Sequence, residues 1–277
     1  MAKTWMITGT SSGFGKELAK IVAQATGTNL VATARKLADL DYLDAYDHGQ
    51  IEKVLVDVVD ADQIKAAAKQ ALQRFGNIDV LVNNAGIGYF STIEESDMAQ
   101  VRHMFEVNFF GLASMTEALL PNFRKQKSGT IVNISSALAL TTLPTMGYYS
   151  ATKYAVEGYS DTLRQEVADL GIKVFTVEPS GARTNWSGSS SKKVVPTIGD
   201  YAKFKESVET TDQSVTDAPG DPAMIAKIIF DQVSAGKDLP KHLPLGEFAY
   251  EAGLKDLTNL ETEIKSRHEL SLSADQK

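Results

Sequence analysis

The chain of 277 residues contains no cysteine. Disulfides, thiolate metal sites and a cysteine nucleophile are therefore excluded. It also lacks a basic excess. Its 28 Lys and Arg against 35 Asp and Glu leave a formal net charge of −7, whereas general nucleic-acid binding needs a basic footprint. No uninterrupted apolar run approaches the ~20 residues of a membrane-spanning helix. The beginning, Met1 to Trp5, runs into an apolar stretch without the pattern of a signal peptide. A soluble cytoplasmic protein with neither membrane nor nucleic-acid partner is expected. No linker, repeat or break in composition divides the chain, so a single domain over residues 1–277 is predicted. A hydrophobic share of 43% and a charged share of 23% are those of a globular protein, and the length suffices for a substantial core.

What the chain does contain is an alternation. Short apolar runs at Trp5–Ile7, Asn29–Thr33, Val54–Val56, Ile78–Val82, Thr130–Ile134 and Lys173–Val177 are separated by stretches of helical periodicity. These include Glu17 to Ala23, Ala61 to Phe75 closed by Gly76, Ala99 to about Lys125, and the residues after Tyr149. Strands apolar on both faces alternating with helices predict an α/β fold. Its form is a doubly wound, Rossmann-like parallel sheet of about seven strands with helices on both faces. The region of about 185–220 differs. Ser187–Lys193 and Thr210–Gly220 are polar and predicted flexible, with a short helix at Tyr201, Phe204 and Val208 between them. Beyond a strand's carboxyl end, such an insertion is placed either as a substrate lid or as a plain surface loop. Pro222 to Val233 reads as another helix. From Ser266 a polar, unstructured tail is predicted.

Between the first strand and the first helix lies Thr8-Gly-Thr-Ser-Ser-Gly-Phe-Gly15. Glycine permits the tight turn and the close approach of backbone to phosphate, and the helix amino end favours anionic oxygens. Gly9, Ser11, Ser12, Gly13, Phe14 and Gly15 are thus candidate phosphate-binding residues. The spacing is not that of the common Gly-x-Gly-x-x-Gly fingerprint. The missing Gly-Lys-Ser/Thr ending argues against an ATPase or GTPase. At the end of the second strand, an acidic residue would bind the 2′-hydroxyl of NAD and an arginine the 2′-phosphate of NADP. Here the acid is missing and Arg35-Lys36 follows, which favours NADP(H) over NAD(H) unless both are simply solvated loop charges.

Tyr149-Ser-Ala-Thr-Lys153 places a tyrosine and a lysine four residues apart, neighbours on one helix face. A phenol holds its proton to a pH of about 10, and a nearby cation favours the phenolate. Such a pair could exchange a proton with a substrate oxygen near neutral pH. An isolated pair at this spacing is also common on plain helix surfaces.

Taken in order, Thr8-Gly-x-x-x-Gly-x-Gly15, Asn83-Asn-Ala-Gly86, Ser136, Tyr149-x-x-x-Lys153 and Pro179-x-x-x-x-Thr184 resemble the short-chain dehydrogenase/reductase family. The resemblance covers about residues 4–186. It implies a catalytic set of Asn108, Ser136, Tyr149 and Lys153. Tyr149 would be the general acid in reduction and the base in oxidation. Lys153 would lower the phenol's pKa and bind the nicotinamide ribose. Ser136, preferred over Ser135 by its distance from the tyrosine, would hold the substrate oxygen. Asn108 would sit in the long helix and hold a water leading from Lys153 to solvent. By the same resemblance Asp57, Asn84, Ala85, Gly86, Pro179 and Thr184 would line the cofactor, and no metal is implied. One departure is Ser180, where the family usually has glycine after the proline. Family members form homodimers or homotetramers through the two long helices, here about 99–125 and 149–169.

The resemblance therefore implies hydride transfer between NADP(H) and a carbonyl or secondary alcohol. The stretches Ile87–Phe90, Leu138–Met146 and Trp186 onward would line the substrate, and their apolar residues predict a mostly apolar small molecule. Arg183 is assigned to structure. Two alternatives remain open at this point: a non-catalytic NADP(H)-binding regulator, and an epimerase or dehydratase on the same scaffold.

Overall fold

In a computed structural model of the chain, residues 2–236 and 239–275 are described. Along the chain come β1 (Lys3–Ile7), α1 (Gly13–Gln24), β2 (Thr28–Ala34), β3 (Ile51–Leu55), α2 (Ala61–Phe75), β4 (Val80–Asn83) and β5 (Gly88–Phe90). They are followed by α3 (Met98–Phe105), α4 (Gly111–Gln126), β6 (Gly129–Ile134), α5 (Gly147–Glu166) and β7 (Ile172–Pro179). The last third holds β8 (Ser191–Lys193), α6 (Lys205–Glu209), α7 (Ser214–Asp217), α8 (Pro222–Ala235), β9 (His242–Leu245), α9 (Glu247–Ser266) and α10 (His268–Leu272).

Seven strands form one sheet in the order β3-β2-β1-β4-β6-β7-β9, every neighbouring pair parallel. This is the predicted doubly wound sheet. Alternation within β1 shows how it is covered. Trp5 and Ile7 point to one face with Leu30, Val82 and Phe175, under α1 and α8. Met6 points to the other with Val31, Leu81 and Ile131, under α2, α4 and α5. Successive strand residues face opposite ways, so one apolar run feeds two cores. Local signals set the helix limits. The Asp60 side chain accepts from the Asp62 and Gln63 amides to start α2, and Gly76, at φ 81°, stops it.

Four expectations need correction. The helix expected over 99–125 is not continuous. α3 passes through a π-helical turn at Glu106–Phe110 before α4 begins. Ser187–Lys193 is not wholly flexible, because Ser191–Lys193 pairs in parallel with Gly88–Phe90. The seventh strand, β9, comes from His242-Leu-Pro-Leu245, which too short a run and a proline had concealed. Pro244 is tolerated because β9 is an edge strand. Finally, the tail expected to be unstructured from Ser266 is helical over His268–Leu272; residues 276 and 277 lie outside the described residues. Among the described residues no helix is long and apolar enough to cross a membrane.

Candidate active site

In a parallel sheet every strand ends at the same edge, and the sequence candidates collect there. The turn after β1 is built around close approaches that only glycine allows. Gly9 has φ +68° and Gly13 φ +57°. A Cβ on Gly15 would collide with the Gly9 carbonyl and the Asn84 amide. The Asn84 side chain donates to the Thr8 and Gly9 carbonyls at 2.9 and 3.0 Å. The Asn84 and Ala85 amides donate to Thr8 Oγ1 at 2.9 and 3.0 Å. Asn83-Asn-Ala-Gly86 therefore braces the glycine turn against β4. Ser12 stands at the N-cap of α1, yet its side chain makes no capping bond. The first amides of α1 are thus left to an outside anion. Thr184 lies against the same turn, 3.5 Å from where a Gly13 Cβ would be. Arg35, after β2, is exposed and makes no ion pair among the described residues. Asp57, two residues past β3, accepts from the Val59 amide at 3.2 Å. A bare glycine turn with uncapped helix amides, flanked by Arg35 on one side and Thr184 on the other, fits a dinucleotide phosphate.

On α5, Tyr149 is 6% exposed and Lys153 5%. They are not on a plain helix surface. Ser136, just past β6, lies near enough to the phenol to oppose the upward shift of its pKa, and its Oγ accepts from the Leu138 amide at 3.1 Å. Ser135 Oγ is buried and without a hydrogen-bond partner. Lys153 Nζ donates to the Ile134 carbonyl at 2.8 Å and sits 5.7 Å from the centre of the Tyr149 ring. Asn108 belongs to the π-helical turn, a local re-winding that is frequent at functional sites. Its Oδ1 accepts from the Ile87 amide at 2.8 Å. Its Nδ2 donates to the Ile87 carbonyl at 2.9 Å and to Thr152 Oγ1 at 3.2 Å. It thus fixes the main chain at Ile87, beside Gly86.

The electrostatics differ from the expectation in one respect. Burial pushes the Tyr149 phenol well up, and the interaction that lowers it is with Ser136; no contribution from Lys153 is resolved. The reason is that Lys153 turns its ammonium to the Ile134 carbonyl and is itself depressed by burial, to about 8, against an opposing pull from Glu157. In the chain alone, Tyr149 is a protonated donor at neutral pH.

An apolar shell surrounds the phenol. Tyr89, Phe90, Leu138 and Met146 cluster with Tyr149. The Trp186 ring lies 4.7 Å from that of Tyr149 and 5.7 Å from that of Phe90. Leu143, expected to line this shell, is 45% exposed. Arg183 donates to the Ala218 and Pro219 carbonyls at 2.9 and 3.0 Å, the structural use predicted for it.

Two features escaped sequence reasoning. Ser180 Oγ accepts from the Ala249 amide at 2.8 Å, and the Ser180 amide donates to the Leu245 carbonyl at 2.8 Å. The residue that departs from the family pattern therefore anchors the start of α9. The other feature is a charge cluster of two buried glutamates and an exposed histidine. Glu157, Glu178 and His242 hold one ligand atom each within 4.8 Å of one another. His242 Nδ1 lies 3.2 Å from Glu157 and 3.4 Å from Glu178. The Glu157 contact is at ion-pair distance without hydrogen-bond alignment. The two carboxylates push the imidazole up to about 10, so its proton supplies the positive charge they require. The sequence signal was a glutamate inside the otherwise apolar strand Val174–Val177-Glu178.

The model of the short chain dehydrogenase family matches residues 3–194. The chain belongs to that family. Oxidoreductase BOA17 of Botryotinia fuckeliana is 35% identical over 280 residues, covering 99% of this chain and 100% of its own. A short-chain dehydrogenase from Streptomyces avermitilis superposes with a TM-score of 0.90 at 36% identity, over 100% of this chain and 99% of that one. At 26% identity, an alcohol dehydrogenase from Thermococcus sibiricus complexed with 5-hydroxy-NADP gives a TM-score of 0.73 over 88% of this chain and 96% of that one. Also at 26%, a 3-ketoacyl-(acyl-carrier-protein) reductase from Brucella melitensis complexed with NADH gives 0.71 over 87% and 96%. The chain is an oxidoreductase of this family.

Proposed function

We propose that the chain transfers a hydride between NADP(H) and a carbonyl or secondary alcohol of a mostly apolar small molecule. The observation that carries this is the buried Tyr149–Lys153 pair, at the sheet edge that also holds the glycine turn. Solved relatives bound to nicotinamide dinucleotides support the cofactor class. Arg35 and the absence of an acid after β2 support the phosphorylated form.

When bound, the nicotinamide supplies the hydride to the carbonyl carbon in reduction and takes it back in oxidation. Ser136 donates to the carbonyl oxygen and fixes its place. Tyr149 Oη gives that oxygen its proton, so the carbon gains the hydride, the oxygen gains the proton, and an alcohol results. The Lys153 ammonium, 5.7 Å from the centre of the phenol ring, would turn from the Ile134 carbonyl to stabilise the phenolate left behind. Gly9, Ser11, Ser12, Gly13, Phe14, Gly15 and Asp57 would hold the adenosine and phosphates. Asn84, Ala85, Gly86, Pro179 and Thr184 would complete the cradle, and Asn108 keeps the wall at Ile87. Segment 185–220 serves as the lid, with Trp186 over Tyr149. It is tied down where Glu95 Oε1 accepts from the Thr197 and Ile198 amides at 2.6 and 3.0 Å. Those bonds hold the Glu95 carboxyl at about 2. Copies of the chain would pair through α4 and α5, beside the π-helical turn in which Phe110 is 50% exposed.

The test is a panel of ketones, aldehydes and alcohols with NADPH or NADP, read by nicotinamide absorbance. Turnover should appear with apolar carbonyl compounds and vanish in Tyr149→Phe. Turnover that survives this substitution would overturn the assignment.

A further inference from the structure

From Leu254 to Asp275 every residue is exposed. Helix α9 is held to the body only by its first turns. Ala249 is buried there, Gly253 packs on Leu140, and the Thr141 hydroxyl donates to Asp256 at 2.5 Å. Beyond Asp256 the helix stands away from the sheet. Isolated helices of this length are marginal in water, and protein helices derive their stability from packing an amphipathic face. Yet α9 carries such a face uncovered. Tyr250, Leu254, Leu257, Leu260 and Ile264 are 62%, 54%, 50%, 53% and 60% exposed. Their spacing of four, three, three and four residues puts them on one stripe.

We propose that this stripe pairs with the same stripe of a second copy, antiparallel across a two-fold axis that passes near Leu257 and Leu260. A two-fold contact requires a self-complementary patch, and α9 has one. With Leu254 against the partner's Ile264, Glu251 of each copy falls beside Lys265 of the other. Antiparallel pairing also sets each helix's amino end against the other's carboxyl end, so their dipoles attract. Within one chain Lys265 reaches Glu261 at 2.5 Å. In the pair, Lys265 sits between Glu261 of its own helix and the Glu251 that faces it, and it screens Glu261 at the seam. The stripe is flanked by Glu247, Glu251, Asp256 and Glu263, and Glu261 lies within it, an acidic setting that disfavours docking on an anionic membrane.

The experiment is mass in solution by light scattering, with circular dichroism as a control for folding. Leu257→Glu/Leu260→Glu should halve the mass at equal concentration with the far-ultraviolet spectrum of the body retained. The halving runs from tetramer to dimer if α4 and α5 also pair copies, and from dimer to monomer if they do not. Glu251→Lys alone should weaken association about tenfold or more. So should Lys265→Glu alone, whereas mixing the two single variants should restore it. Unchanged mass in the Leu257/Leu260 variant, or no recovery on mixing, would overturn the pairing. So would flotation of the wild type with phosphatidylcholine vesicles that the leucine substitutions abolish.

Discussion

Helix α5 carries two sets of buried ionisable groups one turn apart, and they are built on opposite principles. Lys153, on the turn nearer the glycine loop, has lost its water without gaining a carboxylate in direct contact. Burial depresses it to about 8, and it holds only a main-chain carbonyl. Four residues on, Glu157 faces His242 and, through it, Glu178. There the opposite charges answer each other, and the imidazole is pushed up to about 10. The first set leaves a charge unsatisfied beside a cleft, where a ligand can use it. The second satisfies its charges internally, and it ties α5, β7 and the edge strand β9 together. Perturbed titration alone does not distinguish a working site from a structural one; the direction of the shift and the presence of an answering charge do.

The comparison breaks first, and most strongly, at Lys153. Lys153→Met should lower turnover by about 10²–10⁴-fold. The denaturant midpoint should not fall, because an unanswered buried charge is being replaced by an apolar chain. A fall in stability that matches the loss of activity would place Lys153 with the structural set. The converse substitution, His242→Ala, leaves two carboxylates facing each other. Because the imidazole is 39% exposed and its charge partly screened, the substitution should cost about 1 kcal/mol of unfolding free energy near neutral pH, read from urea titrations, and the deficit should shrink in acid as the carboxylates take up protons. Turnover per folded molecule should stay near that of the wild type.

The wild type offers a subtler check. The His242 proton is bound more tightly in the folded chain, with a pKa of about 10 against the ordinary 6.5 of an imidazole. Its contribution is therefore complete below pH 6.5 and is lost as pH rises from there towards 10. Unfolding free energy measured across that window should decline in the wild type, and this component should be missing from His242→Ala. The last check concerns a charge belonging to neither set. Arg35 lies in solvent, and Arg35→Ala should reduce the preference for NADPH over NADH by about tenfold, or about 1.4 kcal/mol. Unaltered selectivity in the ratio of the two kcat/KM values would remove Arg35 from cofactor choice.

Much of this was legible in the sequence because it is local. The glycine turn needs φ values that the sequence announces, the strands β1, β2, β4, β6 and β7 are apolar on both faces, and the Tyr149–Lys153 spacing is fixed by helix geometry. What could not be read depends on partners distant in the chain. β9 is a strand only because β7 offers it an edge. Ser191–Lys193 is polar, and its pairing follows from the position of Gly88–Phe90 rather than from its own composition. The π-helical turn at Asn108 arises where a side chain bonds the Ile87 main chain, 21 residues away. Ser180 looked like a departure until its acceptor role toward Ala249 was placed. The depression of Lys153 required its burial, which no spacing predicts.

The parallel sheet has a practical consequence. All its strands begin at one edge and end at the other, so the candidate site residues are confined to a single side. On the opposite side the chain turns at Gly27, Gly49 and Gly76, where an added Cβ would meet nothing within 4 Å. A peptide tag, surface tether or fused reporter inserted at these turns would leave the cleft facing solution, with α9 unobstructed. Immobilisation through the turns before β2, β3 or β4 is thus the orientation in which a sensor built on this chain keeps its substrate access.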